Sequence, residues 1–233
     1  PQLSQPIDMV IVLGGDGSIL RASRVAHIYD APILGINFGH LGFLPNDSAD
    51  GVTAIVAAAL SGDCVEECRT NLSVEVYREG EDEPAKTLFT LNEVAVSRGC
   101  SPHIVDFDLM ISGDKLASMR GDGVVVATAT GSTAYALSAG GPLVAPGFRG
   151  LVVVPLSPHT LQSRALVTES NDIVEVELTS ETSRNEASLF LDGEAMQFED
   201  NIERVIVRRG DRCTRLLLYK SESFYKKAAR VFF

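Results

Sequence analysis

Several features that would direct this sequence to common functional classes are missing from it. No apolar run in the 233 residues approaches the ~20 residues that span a bilayer, and the start at Pro1 lacks the charged-then-apolar order of a signal peptide. The 20 Lys and Arg residues are outnumbered by 31 Asp and Glu residues, which gives a formal net charge of −11. Nucleic acids and anionic membranes attract basic surfaces, so neither is expected as a partner. We therefore expect a cytoplasmic, globular protein.

Metal-binding and nucleotide-binding motifs of the standard kinds are also missing. The four cysteines include no Cys-x-x-Cys pair, so zinc is not indicated, and we interpret them as reduced, mostly buried thiols. The sequence has no G-x-x-x-x-G-K-[ST] motif, and the residues after Gly15 break the Rossmann G-x-G-x-x-G pattern. A protein-kinase His-Arg-Asp loop and a G-x-S-x-G elbow are not found either. The chemistry must therefore depend on other residues.

Two aspartates between glycines, each beside an apolar run, carry most of the chemical information. Gly14-Gly15-Asp16-Gly17 follows the run 7–13, and Gly121-Asp122-Gly123 precedes the run 124–127. Glycine allows a tight turn, and a helix that begins beyond the turn points unpaired N–H groups at an anion. A carboxylate there would repel phosphate, but it could accept a hydroxyl proton or bind a cation shared with phosphates. The combination indicates phosphoryl transfer to an alcohol.

The spacing of apolar residues changes once along the chain. The runs 7–13 and 33–36 flank a helical pattern over 18–29, which predicts a β-α-β unit with parallel strands. A second helix is predicted over 50–61. Later segments alternate with period two, which predicts antiparallel strands in a sheet or sandwich, and these segments are 72–77, 104–111, 173–178 and 202–207.

Polar residues within this second region are of two kinds. The charged segments 79–84 and 181–186 predict a hairpin tip and a solvated loop that need no function. Asn92-Glu93 lies inside the apolar run 88–96, where at most one of two neighbouring side chains can face a core. An exposed strand face explains Glu93 better than it explains Asn92.

A hydroxyl-rich turn follows the second Gly-Asp-Gly strand. Four hydroxyl side chains and Gly131 lie between the run 124–127 and a predicted helix of small residues that ends at Gly140-Gly141. Hydroxyls and N–H groups at a helix start can bind phosphate or ribose, and small side chains leave room for a flat base. This turn is therefore a second predicted binding element.

Taken together, these residues resemble the bacterial NAD kinases, also called ATP-NAD kinases or polyphosphate/ATP-NAD kinases. The matching stretches follow the family order along nearly the whole chain, and they are 14–18 with 20–21, 35–44, 92–93, 120–123, 130–141, 158–161 and 191–194. The resemblance implies transfer of the γ-phosphate of ATP to the 2′-hydroxyl of the adenosine ribose of NAD. We expect a divalent cation, Mg²⁺, held by Asp16 and the nucleotide phosphates, because Mg²⁺ usually binds one or two carboxylates plus substrate phosphates.

The resemblance also assigns roles to residues. Asp16 is implied to accept the proton of the 2′-hydroxyl, Gly17 to share this dinucleotide contact, and Arg21 to face the phosphates. The other residues implied to bind the dinucleotide are Asn92, Glu93, His103, Arg120, Asp122, Thr133, Ala134, Tyr135, Ala136, Leu137, Ser138, Ser157 and Glu194. Within this set, the segment 133–138 would form a shelf for adenine and nicotinamide.

The fold implied by the resemblance has two lobes. A Rossmann-like α/β lobe is expected over 1–67, a β-rich sandwich lobe that binds the dinucleotide over 68–219, and a segment over 220–233 that returns to the first lobe. Only residues 1–13 precede the first glycine turn, where family members carry an opening β-α unit, so either the native chain is longer or its first residues are missing here. A homodimer or homotetramer is implied. The donor, ATP or polyphosphate, and the acceptor, NAD or NADH, stay open.

Three other interpretations share the first glycine turn. A lipid kinase of the diacylglycerol or sphingosine type needs a route to the membrane, which a chain of net charge −11 without a basic amphipathic helix does not offer. A sugar kinase similar to 6-phosphofructokinase needs several converging arginines, and only isolated ones are present. A non-catalytic dinucleotide sensor has no use for a carboxylate beside phosphates, so the intact Asp16 disfavours it.

Overall fold

A computed structural model describes residues 5–39, 42–160, 162–197, 201–220 and 222–233. The chain divides into two compact units. The first unit consists of Pro1–Arg69 and Cys213–Phe233, and the second unit consists of Thr70–Arg212.

The helices and strands are numbered in chain order. The first part of the chain contains β1 (Val10–Leu13), α1 (Asp16–Tyr29), β2 (Ile33–Asn37), β3 (Asn46–Asp47), α2 (Val52–Ser61) and β4 (Val65–Arg69). The middle part begins with β5 (Leu72–Arg78), β6 (Lys86–Thr90), β7 (Glu93–Ser97), β8 (Val105–Ile111), β9 (Asp114–Gly121), β10 (Gly123–Ala127), a 3₁₀ turn (Gly131–Thr133) and α3 (Tyr135–Ser138). It continues with β11 (Val152–Leu156), β12 (Leu166–Val167), β13 (Val174–Leu178), α4 (Glu181–Glu186), β14 (Ser188–Leu191), β15 (Glu194–Met196) and β16 (Ile202–Arg209). The last part contains β17 (Thr214–Leu218) and α5 (Phe224–Phe232).

The first unit is an α/β layer. Its described strands are ordered β1-β2-β17-β4, with β3 paired to the end of β2. β1 and β2 pair in parallel, as the predicted β-α-β unit requires, because α1 connects their ends across one face. α2 packs on β2 through Leu34, Ile36 and Ile55, all fully buried. The sheet thus places the β1–α1 turn at the carboxyl end of β1.

The second unit is an antiparallel sandwich. In the described residues one sheet has the order β12-β11-β10-β7-β14-β15, and the other has the order β6-β5-β16-β13-β8-β9. One core holds alternate side chains from both sheets, among them Val94, Val124 and Phe107. The opposite face of β10 is covered as well, because Val125 and Ala127 pack with Ala136 of α3. The fold class predicted from the sequence, α/β followed by a β-rich sandwich, is confirmed.

Two sequence-based element predictions are wrong. The apolar run 88–96 is not one strand, because β6 pairs with β5 in one sheet and β7 pairs with β10 and β14 in the other. The chain crosses between the two sheets at Leu91-Asn92. The charged segment 181–186 is not a loop but α4, whose start is capped by the Ser180 hydroxyl, which accepts from the Ser183 N–H.

Two long-range pairings also depart from the predictions. β17 lies inside the range predicted for the second lobe, yet it hydrogen-bonds to β2 and β4 in the sheet of the first unit. Cys68, in β4, and Cys213, the residue before β17, form a disulfide with Cα atoms 5.5 Å apart, so the interpretation of reduced thiols is wrong for this pair. Cys64 is partly buried and Cys100 is exposed.

Candidate functional site

The first glycine turn brings Asp16 to the start of α1. Gly15 precedes the helix as its N-terminal cap residue, and Asp16 lies in the first turn, where the leading N–H groups of a helix have no intrahelical acceptor. The carboxylate is held on its other side, because the N–H groups of Phe43 and Leu44 donate to its Oδ2 and Oδ1 atoms at 3.1 and 3.0 Å. The side chain of Asp16 is thus fixed in one orientation by two backbone donors.

Gly42 is the reason that this backbone can approach so closely. A Cβ atom built on Gly42 would collide with Oδ1 of Asp16, so only a residue without a side chain fits there. Gly42, Phe43 and Leu44 lie in a stretch that the family resemblance had marked, but no role in holding Asp16 was predicted for them. His40, Leu41 and Leu161, which belong to matching stretches, lie outside the described residues.

Gly17 and Arg21 lie further along α1. A Cβ atom at Gly17 would meet nothing within 4 Å, so space is open beside the helix start. The Arg21 guanidinium is exposed and donates to the Ser18 hydroxyl at 3.5 Å, on the same face of the first helical turns. The predicted contacts of Gly17 and Arg21 with the dinucleotide and its phosphates stay predictions.

Two cations of the first unit interact electrostatically with Asp16, and sequence reasoning missed both. Arg69 is buried and pairs with Glu67; burial lowers the pKa of Arg69, while the charges of Glu67 and Asp16 oppose this effect. Burial, and then the charge of Arg69, lower the pKa of Lys227 in α5, against the charges of Asp16 and Glu67. The charges of Arg69 and Lys227 thus interact favourably with the Asp16 carboxylate.

In the second unit, Asn92 and Glu93 lie where the chain crosses between sheets, and the Asp192 side chain organises the crossing. The carboxylate of Asp192 accepts the N–H groups of Leu91 at 3.0 Å, Asn92 at 2.7 Å and Glu93 at 3.3 Å. These bonds take the place of the hydrogen bonds between strands, which are interrupted where the chain crosses from one sheet to the other. Asp192 was part of a matching stretch but not a predicted site residue.

The side chains of Asn92 and Glu93 are both buried, with 7% and 6% of their surface exposed. Burial, and then the charge of Asp192, raise the pKa of Glu93 from 4.5 to about 8, although the Tyr135 N–H donates to its carboxyl group. Within the described residues, Asn92 Oδ1 and Glu93 Oε2 have no hydrogen-bond partner. Buried polar atoms are nearly always paired, so each unpaired atom needs an explanation, and a bound ligand supplies one.

The hydroxyl-rich turn lies directly against Asn92. A Cβ atom at Gly131 would collide with the carbonyl group of Asn92. The Thr128 hydroxyl donates to the Leu91 carbonyl at 2.8 Å and accepts the Gly131 N–H at 3.1 Å. The turn and the sheet crossing thus form one rigid element.

The predicted chemistry of this turn requires a correction. Thr128 and Ser132 are fully buried, and the Ser132 hydroxyl donates to the Ala129 carbonyl oxygen at 2.6 Å. These two hydroxyls therefore cannot bind phosphate or ribose. The Thr133 hydroxyl donates to the Thr130 carbonyl at 3.1 Å. The hydroxyls are used to fold the turn, because its buried carbonyl groups need donors.

The predicted shelf is shorter and less helical than expected. A 3₁₀ turn over Gly131–Thr133 precedes α3, which has only 4 residues. Ala134, Leu137 and the exposed residues Tyr135 and Ser138 flank Ala136, which is fully buried against the sheet. The small residues therefore serve close packing on β10, and their contact with a base stays a prediction.

The second glycine turn places Asp122 in a polar cluster. The Arg98 Nε atom donates to its Oδ1 atom at 2.6 Å, and the Ser157 hydroxyl, followed by Arg98, lowers the pKa of Asp122. Ser157 has a left-handed backbone with φ of 42°, and His159 makes a smaller contribution that also lowers the pKa of Asp122. The structure brings the predicted residues Asp122 and Ser157 together, and Arg98 is a member of the cluster that sequence reasoning missed.

The remaining predicted residues pair elsewhere in the second unit. His103 Nδ1 lies 2.9 Å from Glu186 at the end of α4, and the Ser101 hydroxyl, followed by His103, lowers the pKa of Glu186. Arg120 pairs with Asp106 across β8 and β9 at 2.5 Å, and Glu194 is exposed at the start of β15. Their binding roles stay predictions.

No group of three or more His, Cys, Asp or Glu side chains in the described ranges could hold a metal ion. No helix in the described part of the chain is long and apolar enough to cross a membrane.

A carboxylate fixed at a helix start, with cations around it, has the features of a phosphotransferase that acts on an alcohol. Comparison with known proteins identifies the family. The family model described as the ATP-NAD kinase N-terminal domain matches residues 1–64, and the model described as the ATP-NAD kinase C-terminal domain matches residues 91–218. The chain belongs to the NAD kinase family, and it is accordingly a kinase.

Individual relatives agree with this assignment. The NAD kinase of Pseudoalteromonas translucida is 37% identical over 223 residues, which cover 96% of this chain and 75% of the relative. The NAD kinase of Nitrosomonas eutropha is 36% identical over 225 residues, which cover 97% and 74%. These matches give no support to the lipid kinase or sensor alternatives.

Two solved structures are similar to the chain. A crystal structure of yeast NADH kinase complexed with NADH has a TM-score of 0.86 and 26% identity, over 97% of this chain and 65% of that chain. A crystal structure of an NAD kinase from Archaeoglobus fulgidus in complex with ATP has a TM-score of 0.74 and 25% identity, over 99% and 86%. The chain thus spans about two thirds of the yeast protein.

Proposed function

We propose that this chain transfers the γ-phosphate of ATP to the 2′-hydroxyl of the adenosine ribose of NAD, which gives NADP and ADP. The observation that carries the proposal is the Asp16 carboxylate, held by the N–H groups of Phe43 and Leu44 at the start of α1. The names of the relatives, NAD kinase, and the NADH and ATP complexes of the two similar structures support the choice of substrates.

Asp16 is the proposed proton acceptor. As the 2′-oxygen forms its bond to the γ-phosphorus, the bond from that phosphorus to the bridging oxygen of ADP breaks, and the hydroxyl proton moves to Asp16. A carboxylate can do this only when it lies within hydrogen-bond reach of the hydroxyl, so its fixed orientation matters. Gly17 and Arg21 lie next to it along α1, and we propose that they contact the dinucleotide and its phosphates.

Asn92 and Glu93 are the proposed anchors for the dinucleotide. Because the pKa of Glu93 is about 8, its carboxyl group is mostly protonated at neutral pH and can donate a hydrogen bond. Asn92 Oδ1 is a buried acceptor without a partner in the described residues. A ribose, whose hydroxyls both donate and accept, would satisfy such a donor and such an acceptor. The other proposed dinucleotide contacts are His103, Arg120, Asp122, the segment 133–138, Ser157 and Glu194.

A divalent cation fits Asp16. Each carboxylate oxygen accepts one backbone N–H, which leaves further lone pairs for a metal ligand bond. A single carboxylate together with substrate phosphates is a usual environment for Mg²⁺. When bound, the cation supplies positive charge that neutralises the charge developing on the transferred phosphoryl group.

The test is formation of NADP from NAD, ATP and Mg²⁺ by the purified chain. The Asp16→Asn variant should keep its NAD affinity and lose ~10²-fold or more in turnover, because the amide cannot accept the proton. Excess chelator should abolish the activity of the unaltered chain, and excess Mg²⁺ should restore it. Near-normal turnover of the Asp16→Asn variant would reject the role of Asp16, and full activity in chelator would reject the metal.

We further propose a cytoplasmic homodimer or homotetramer, as the family resemblance implies. The same assay with polyphosphate replacing ATP, and with NADH replacing NAD, decides donor and acceptor. Sedimentation of the purified chain measures its oligomeric state, and a monomer at assay concentration would contradict the proposal.

A further inference from the structure

Helix α5 packs its aromatic face on Phe43. The Phe43 ring stacks on Phe232 with ring centroids 5.6 Å apart and planes 15° apart, and it lies 6.1 Å from the Phe224 ring. Phe224 and Phe232 are eight positions apart, so they lie on the same side of the helix. Both contacts are internal to the first unit.

Lys227 adds a polar contact from the same helix to the same residue. Its ammonium group donates to the Phe43 carbonyl oxygen at 3.4 Å. The start of α5 is itself fixed, because the Ser223 hydroxyl accepts the Lys226 N–H at 3.4 Å. Phe43 is therefore held by α5 through its ring and through its backbone.

Phe43 in turn restrains the Asp16 side chain. Its N–H donates to one carboxylate oxygen of Asp16, and the next N–H, from Leu44, donates to the other oxygen. Gly42, on the other side of Phe43, lies against the same carboxylate. A displacement of Phe43 would therefore move both donors of the Asp16 carboxylate together.

We propose that α5 is a positioning element for the proton acceptor, and that Phe232, Lys227 and Phe43 are positioning residues that set the orientation of the Asp16 carboxylate. The inference rests on the proposed role of Asp16. It gives the last helix of the chain a function in the reaction, although none of its residues was expected to bind substrate. Misplacement of a reacting group by about 1 Å can lower a rate ~10²-fold, so contacts of this kind can control turnover.

The test compares Phe232→Ala with Phe232→Leu, which keeps an apolar side chain on Phe43. The matched control is Val231→Ala on the exposed side of α5, where Val231 is 46% exposed. We expect Phe232→Ala to lower kcat about 10-fold or more, with the KM for NAD changed less than about threefold, because orientation is lost and dinucleotide binding is not. Phe232→Leu should recover most of kcat, and Val231→Ala should be unaltered.

A double-mutant cycle with Asp16→Asn separates positioning from general loss of structure. If Phe232 acts through the Asp16 carboxylate, Phe232→Ala should lower the residual turnover of the Asp16→Asn variant less than twofold. A kcat of Phe232→Ala equal to that of the unaltered chain, or a full further loss in the Asp16→Asn background, would overturn the inference. Failure of the unaltered chain to make NADP would instead overturn the proposed function.

Lys227→Met is a second test variant. It is used if Phe232→Ala has no cooperative thermal transition and is therefore not folded. Lys227→Gln is its matched control, because the neutral amide can still donate to the Phe43 carbonyl while the charge that acts on Asp16 is lost. We expect Lys227→Met to lower kcat with a near-constant KM for NAD and Lys227→Gln to recover part of it. Equal values of kcat for Lys227→Met and the unaltered chain would count against the positioning role.

Discussion

Replacement of Glu93 by Gln should stabilise the unliganded protein, and the gain should grow with pH. The Glu93 side chain is 6% exposed, and burial, followed by the charge of Asp192, raises its pKa from 4.5 to about 8. Below pH 4.5 the group is protonated in the folded and the unfolded chain, so it contributes no pH dependence there. As the pH rises from 4.5 to 8, the unfolded chain releases this proton while the folded chain keeps it. The free energy of unfolding therefore falls across this window.

The size of the effect follows from the two pKa values. Each pH unit between them is worth roughly 1.4 kcal/mol, so ionisation of Glu93 destabilises the fold by up to about 5 kcal/mol above pH 8. The Glu93→Gln variant has no charge to bury, and its amide oxygen can still accept the Tyr135 N–H. The difference in unfolding free energy between variant and unaltered protein should rise by about 1 kcal/mol per pH unit from pH 5 to pH 8 and then level off.

Urea unfolding at pH 5, 6, 7, 8 and 9 measures this difference. The matched control is Glu169→Gln, since Glu169 is an exposed carboxylate of the same unit, and its effect should stay within about 0.5 kcal/mol at every pH. The gain in unfolding free energy caused by Glu93→Gln is the quantity to follow. If this gain does not change with pH, or shrinks as the pH rises, the assignment of a buried, mostly protonated Glu93 is refuted.

Three further predictions concern binding, folding of the turn, and the disulfide. Asn92→Ala should weaken NAD binding by about 1–3 kcal/mol, with ATP affinity almost unchanged, because ligand groups lose a buried partner; equal losses for both ligands in calorimetry would indicate unfolding instead. Gly131→Ala should destabilise the second unit by about 1–3 kcal/mol in thermal unfolding, since its Cβ collides with the carbonyl group of Asn92; an unaltered melting temperature would contradict the close approach. Cys213→Ser should lower the free energy of unfolding by about 2–4 kcal/mol, because the Cys68–Cys213 bridge restrains the unfolded chain; identical unfolding of variant and unaltered chain without reductant would show that the thiols are free.

Local sequence patterns predicted the first unit well because its elements depend on neighbouring residues. The apolar runs flanking a helical pattern over 18–29 predicted β1, α1 and β2, although α1 begins two residues earlier, at Asp16. The cross-sheet element at Asn92 was predicted wrongly, because a continuous apolar run does not show that the chain leaves one sheet for another. The hint was Asn92 itself, a polar residue with no place in a strand that faces a core.

The candidate site divides in the same way. Asp16, Asn92 and Glu93 could be singled out because glycine and polar residues break apolar patterns locally. Arg98 and Lys227 could not, because each contacts a residue that is not its neighbour in the sequence, and Asp192 was marked only as part of a matching stretch. Lys227 contacts Phe43 across 184 positions, and Asp192 contacts Asn92 across 100 positions.

The sequence by itself determined the fold class, the phosphotransferase chemistry and the aspartate at the first helix, because glycine turns and apolar periodicity act over a few residues. Only the tertiary structure decided the pairing of Cys68 with Cys213, the crossing at Asn92, the protonated state of Glu93, and the support of Asp16 by Phe43 and α5. These features depend on burial and on contacts between segments far apart in the chain. Both are properties of packing, and no local pattern of residues specifies them.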